Sequence, residues 1–98
     1  MIGTSGLWIV NHGHEEEFAR PWQEGVDSAA MDYPEVRFRL LRDHQNARRF
    51  VSFGEGWRTV EQVETMRETP EFGEFLASLR PFLDSEEMST LELVAEVS

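Results

Sequence analysis

The side chains able to move a proton near neutral pH are few in this sequence: the three histidines His12, His14 and His44. His12 and His14 stand on either side of Gly13, just after Asn11 and just before Glu15, Glu16 and Glu17. Two readings of that cluster stay open. One makes His12 or His14 a general base, with Asn11 donating to a substrate carbonyl; the other makes all three ordinary polar residues of a turn at Gly13. A metal site has less behind it, because His-x-His supplies two ligands and spacing fixes no third. His44 falls among Asp43, Gln45 and Asn46, which is turn chemistry, and reads as solvated. The other suggestive place is Gly54-Glu55-Gly56-Trp57, since glycine within a strand marks a bulge or a close approach by a ligand or a second backbone. Trp57 reads either as core or as the wall of a binding site.

Composition removes several chemistries. The chain has no cysteine, so a disulfide framework, a thiolate zinc site and a cysteine nucleophile are excluded. No phosphate-binding loop, dinucleotide fingerprint, Ser-His-Asp set or paired-carboxylate motif is present. The formal net charge of −10 argues against nucleic acid as a partner. The basic residues that do cluster, Arg37, Arg39, Arg42, Arg48 and Arg49, sit where they can pair with carboxylates. No basic and apolar leader opens the sequence and no run of ~18 apolar residues occurs in it. A soluble, cytoplasmic protein with no membrane partner is expected.

The candidate residues are positioned by elements that the apolar pattern outlines. Val36 to Thr59 predicts a long β-hairpin: Val36, Phe38 and Leu40 alternate with arginines, Asp43 to Asn46 turn the chain, and Phe50, Val51 and Phe53 return it. Before it, Ser5 to His12 predicts a strand apolar on both faces, with Met1 to Thr4 a loose end. Glu15 to Glu17 are expected to open a helix whose dipole favours them, with Phe18, Trp22, Val26 and Ala29 as its buried stripe and a kink at Pro21. Thr59 with Gln62 fits a capping box for a second helix with inner face Val60, Val63 and Met66. Thr69-Pro70-Glu71 restarts the chain as a helix carrying Phe72, Phe75, Leu76, Leu79 and Leu83, which Pro81 loosens or ends. Asp84 to Glu87 is expected as a polar connector, and Thr90 to Val97 as the last strand.

The order β-α-β-β-α-β is the ferredoxin-like, α+β pattern: a four-stranded antiparallel sheet with helices on one face. Ninety-eight residues make a single domain, 1–98. The second sheet face still has apolar side chains to hide, which a second copy would cover, so a homodimer is expected.

In this setting the chain resembles the antibiotic biosynthesis monooxygenase domain family. The resemblance rests on the first strand leading into Gly13-His14-Glu15-Glu16-Glu17-Phe18, and on the hairpin closing Phe50-Val51-Ser52-Phe53-Gly54-Glu55-Gly56-Trp57. Thr59-Val60-Glu61, Pro70-Glu71-Phe72 and Leu91-Glu92-Leu93-Val94 continue it over nearly the whole sequence. It implies a dimeric α/β barrel with a small-molecule pocket between helices and sheet in each subunit. The activity it implies is monooxygenation of an aromatic or polyketide-type phenol with no cofactor. The haem-degrading branch fits poorly, because the aligned positions near Leu7 and Leu76 are apolar and Asn11 falls too late in its strand. Trp57 matches the family tryptophan at the end of the third strand; it is a candidate to stack on substrate and donate its indole N–H to a substrate oxygen. With it, His12 and His14 are candidate catalytic residues. Asn11, Trp22, Tyr33, Phe72 and Leu76 are candidate contacts to a hydrophobic aromatic ligand. A non-catalytic ligand-binding domain and a structural dimerisation module of the same fold are the alternatives.

Overall fold

The hairpin forms as the alternation requires. In the computed structural model, which covers residues 1–98, strands β2 (Arg37–Arg42) and β3 (Arg49–Trp57) pair antiparallel, with Arg37 opposite Glu55 and Arg42 opposite Phe50. Asp43 shapes the turn: its Oδ1 accepts the backbone N–H groups of Gln45 at 2.8 Å and Asn46 at 3.2 Å. The Gln45 bond is the main reason that the Asp43 carboxyl lies below its ordinary pKa. Four of the five hairpin arginines take carboxylate partners: Arg39 with Glu55, Arg42 with Glu16, Arg48 with Asp84, and Arg49 with Asp43.

Strand β1 (Ile2–Val10) is central, flanked by β3 and by β4 (Leu83–Glu92), so the sheet order is β2-β3-β1-β4 with every neighbouring pair antiparallel. Helix α1 (Ala19–Asp32) connects β1 to the hairpin; α2 (Val60–Arg67) and α3 (Pro70–Leu79) connect it to β4. This is the ferredoxin-like α+β fold. Thr59 and Thr69 cap α2 and α3, their hydroxyls accepting the N–H groups of Gln62 at 3.0 Å and Phe72 at 3.2 Å. Helices and sheet meet over Trp8, Val10, Phe18, Trp22, Phe50, Leu76 and Leu79, all buried in one cluster. Each such side chain contributes about 1.5–3 kcal/mol of burial free energy. No helix is long and apolar enough to cross a membrane.

Four expectations are corrected. Ile2 to Thr4 are not a loose end: they pair with β3 on one side and β4 on the other and belong to β1. The α-helix opens at Ala19, not at Glu15. Glu15 instead turns back to accept the Gly13 N–H, the main cause of its lowered pKa, and Glu16 and Glu17 reach Arg42 and His14. Pro21 then falls in the first turn of α1, where its missing N–H has no partner to lose, and it produces no kink. Asp84 to Glu87 are strand, and β4 ends at Glu92, leaving Leu93 to Ser98 without regular structure. The polar stretch is tolerated in β4 because this strand is an edge, paired with β1 alone.

Two bulges reset the alternation. Val10 pairs with Leu83 while Ile9 pairs with Ser85, so Asp84 is the extra residue and Leu83 turns inward onto the core. On β3, Ile2 pairs with Trp57 while Gly3 pairs with Glu55, and the extra residue is Gly56, with φ +105°. The opposite face carries Leu41, Val51 and Leu7 in one row across three strands, with Phe53 and Ile9 beside it.

A Cβ on Gly56 would need the left-handed backbone region and would sit 2.5 Å from the Glu35 carbonyl oxygen. Gly56→Ala is therefore expected to lower unfolding free energy by about 2 kcal/mol or more. Gly73→Ala, in α3 with nothing within 4 Å, should raise it by ~0.5–1 kcal/mol. Urea denaturation of the two variants reads both signs.

Candidate functional site

Regular alternation through Gly56 would send Trp57 with Phe53 and Glu55 to the outer face of the sheet. The bulge turns it toward the helices. There it is buried against Val36 and Val63, 5.0 Å from the Tyr33 ring centroid and edge-on to Phe38 at 6.0 Å. Its Nε1 donates to Thr4 Oγ1 at 3.2 Å. The indole N–H expected to be available to a substrate thus already has a protein acceptor. Trp8 is held in the same way: its Nε1 donates to Ser52 Oγ at 2.9 Å across the β1–β3 pairing. A buried N–H left without a partner would cost about 1–3 kcal/mol, so these two hydroxyls let the aromatic walls stay dry.

Two cavities adjoin around these walls. A chamber of about 70 Å³, itself open to the surface, lies against the sheet, bounded by Trp8, Trp22, Ser52, Trp57, Arg67 and Met88 among others. An outer cleft of about 420 Å³ opens between α1 and α3, with Gly25, Ala29, Tyr33, Thr69 and Ser78 on its sides. Val26, Phe38, Trp57, Met66, Phe72 and Phe75 border both. Gly25 lets the two helices close on each other, since a Cβ there would overlap the Phe75 ring. The cleft also carries Glu24, Asp32, Glu71 and Glu74. The arrangement suits a flat apolar ligand with a few polar atoms.

Of the residues singled out from sequence, Trp57 and Phe72 border both cavities, Trp22 the inner chamber and Tyr33 the outer cleft. Leu76 is buried in the main core cluster and borders neither. Asn11, His12 and His14 leave the far end of β1, eight residues from the Ile2–Trp57 pair, or roughly 26 Å at ~3.3 Å per residue. Asn11 Nδ2 donates to the Pro81 carbonyl and its backbone oxygen accepts the His14 N–H. His12 is exposed beside Glu15, and His14 lies edge-on to Phe82 and 3.4 Å from Glu17. None of the three borders either cavity, and no three metal-ligating side chains converge anywhere.

Thr4, Ser52 and Arg67 border the chamber without having been singled out. Thr4 and Ser52 acquire their partners only through strand register. Arg67 left a trace in the sequence: it lies four residues after Val63, on the inner side of α2.

No family model and no curated protein matches the chain. Solved structures do match over nearly its full length. An antibiotic biosynthesis monooxygenase is 14% identical with TM-score 0.76, covering 97% of this chain and 100% of its own. SnoaB, a cofactor-independent oxygenase from Streptomyces nogalater, is 18% identical with TM-score 0.79, covering 98% and 95%. A conserved protein from Methanosarcina mazei Go1 is 14% identical with TM-score 0.77, covering 92% and 89%. At such identities the likeness shows the fold. The chain is a ferredoxin-like α+β protein, and its fold is that of the antibiotic biosynthesis monooxygenase domain, to which many of the matching structures belong.

Ser52→Ala removes the acceptor of the buried Trp8 N–H and is expected to cost ~1–3 kcal/mol of stability, measured by urea unfolding. A loss below ~0.5 kcal/mol would mean that Trp8 finds another acceptor.

Proposed function

We propose that this chain is a cytoplasmic, homodimeric, cofactor-independent monooxygenase that acts on an aromatic or polyketide-type phenol. The observation that carries the reading is the aromatic-walled space between helices and sheet, open to the surface through the cleft. The fold likeness to SnoaB supports the reaction class, although fold alone does not assign a reaction. The chemistry asks for a dry site that orients an electron-rich ring, aids loss of its phenolic proton and keeps the anion beside O₂. One oxygen atom then enters the ring as a quinone carbonyl and the other leaves as water. Trp57, Phe38 and Phe72 are the faces on which such a ring would stack. Trp22 and Tyr33 would bound its position from the chamber and from the mouth.

A second reading has its own observation. The inner chamber measures only about 70 Å³ because Trp8, Trp22, Trp57 and Phe75 fill the space around it. That suits a structural dimerisation module whose pocket is occupied by its own side chains.

Thermal unfolding against anthrones, naphthols, flavins and haemin separates the two. A ligand that binds the native state at a hundredfold excess over its Kd stabilises by about 2.7 kcal/mol. An anthrone or naphthol shift, followed by oxygen uptake with no added cofactor, supports the enzyme; no shift across the panel supports the module. Trp57→Phe is expected to stay folded, at a cost of ~1–2 kcal/mol, and to weaken binding of any hit. A fully unfolded variant would limit Trp57 to the core.

The proposed dimer rests on the outer sheet face, where Leu7, Val51 and Leu41 form an apolar row beside Phe53. The wild-type species in solution is expected to weigh twice the chain, and Val51→Lys to weigh once the chain with its circular dichroism unchanged. A wild-type monomer at micromolar concentration overturns the dimer.

A further inference from the structure

Arg67 is set apart from the other arginines. Arg39, Arg42, Arg48, Arg49, Arg58 and Arg80 each have a carboxylate within ion-pair distance. Arg20 and Arg37 are solvated. Arg67 is half-buried, borders the inner chamber and faces no carboxylate. Its Nη1 donates to Thr90 Oγ1 at 2.8 Å and its Nη2 to the Ser89 carbonyl at 2.9 Å, so the guanidinium is fixed on β4 by neutral acceptors only. Its Nε is sealed from solvent and has no acceptor. A half-buried cation on a cavity wall without a counter-charge is costly for the fold alone, and an oxyanion in the chamber would supply that charge. Burial without a compensating charge also lowers the pKa of the group from the ordinary arginine value, which marks the same deficit.

The mouth has the opposite character. Glu24, Asp32, Glu71 and Glu74 border the outer cleft, with Tyr33 as its other titratable group, and none of these borders the chamber. Four carboxylates on the adjoining cleft disfavour a ligand that arrives there already ionised. A neutral ring bearing a weakly acidic hydroxyl is not repelled by them and can turn that hydroxyl toward the Arg67 wall. The chamber has room only for the oxygen-bearing edge of such a molecule, and the cleft takes the remaining rings.

We propose that Arg67 is an oxyanion subsite, which receives the hydroxyl of a neutral phenol or enol and stabilises its conjugate anion through the charge of its guanidinium. The inference rests on the aromatic-ligand reading above and names the form in which the ligand binds and the form in which it is held. When the bound ligand ionises, its O–H bond breaks, the electron pair stays on oxygen beside the Arg67 guanidinium, and the proton leaves to water at the cleft. Arg67 acts on the ligand directly and needs no acid or base from the histidine turn.

The test reads the ionisation of a bound probe. 2-Naphthol changes its absorbance when it loses its proton, so its pKa can be followed on the wild-type protein and on Arg67→Lys and Arg67→Met. In wild type the bound probe is expected to titrate at least one unit below free 2-naphthol, a tenfold gain in the anion. Arg67→Lys should retain part of that shift. Arg67→Met should reverse it, because a dry site without the cation favours the neutral phenol. Should Arg67→Met fail to fold, Arg67→Gln keeps a donor toward β4 without the charge and is expected to lose the shift equally. Equal bound pKa values in wild type and the uncharged variant, both folded and both binding, overturn the subsite while leaving the pocket reading intact. Failure of 2-naphthol to bind wild type, seen as no thermal shift, overturns the pocket reading and the subsite with it.

Discussion

One backbone conformation governs the interior of this protein. Strand alternation would place Trp57 on the outer face of the sheet, and the extra residue at Gly56 places it on the inner one. Its φ of +105° and the Glu35 carbonyl packed against its α-carbon leave glycine as the residue that fits without strain. From that turn follow the cluster of Trp57 with Val36 and Val63, the seating of α2 on the sheet, and the wall shared by chamber and cleft. The bulge at Asp84 does the corresponding work at the other end, bringing Leu83 back to the core after a polar strand.

The pocket is a compromise between packing and access. Large aromatic side chains fill most of the space under the helices, and their N–H groups are satisfied by Ser52 and Thr4 across the central strand pairing. Those bonds keep two tryptophans rigid in a dry environment, which a stacking surface requires. Arg67 is the exception to this self-sufficiency, tied to β4 but short of a counter-charge. His14 Nδ1 and Glu86 Oε2 are also buried without a hydrogen-bond partner, but of the three residues Arg67 alone borders the chamber.

Much of the local architecture was legible in the residues. The hairpin, its Asp43 turn, the capped starts at Thr59 and Thr69, and the glycine irregularity before Trp57 all have short-range causes within a few positions. The misread segments are those where partners distant in sequence outweigh local preference. Ile2 to Thr4 become strand because β3 and β4 lie on either side. Glu15 to Glu17 look like a helix start, yet they bond to Gly13, His14 and Arg42 while Pro21 moves into the first turn.

The sequence by itself determined the order of elements, the α+β class and the aromatic stock of the interior, because periodicity, capping and turn chemistry are written in neighbouring residues. Tertiary structure decided which of the chemically suggestive residues share a space. His12, His14 and Asn11 share no space with Trp57, since the whole length of β1 separates them. Thr4, Ser52 and Arg67 come to the chamber through strand register and helix seating, which depend on contacts 23 to 53 residues apart in the chain. Register over such spans is set by the fit of whole faces, so only the folded chain displays it.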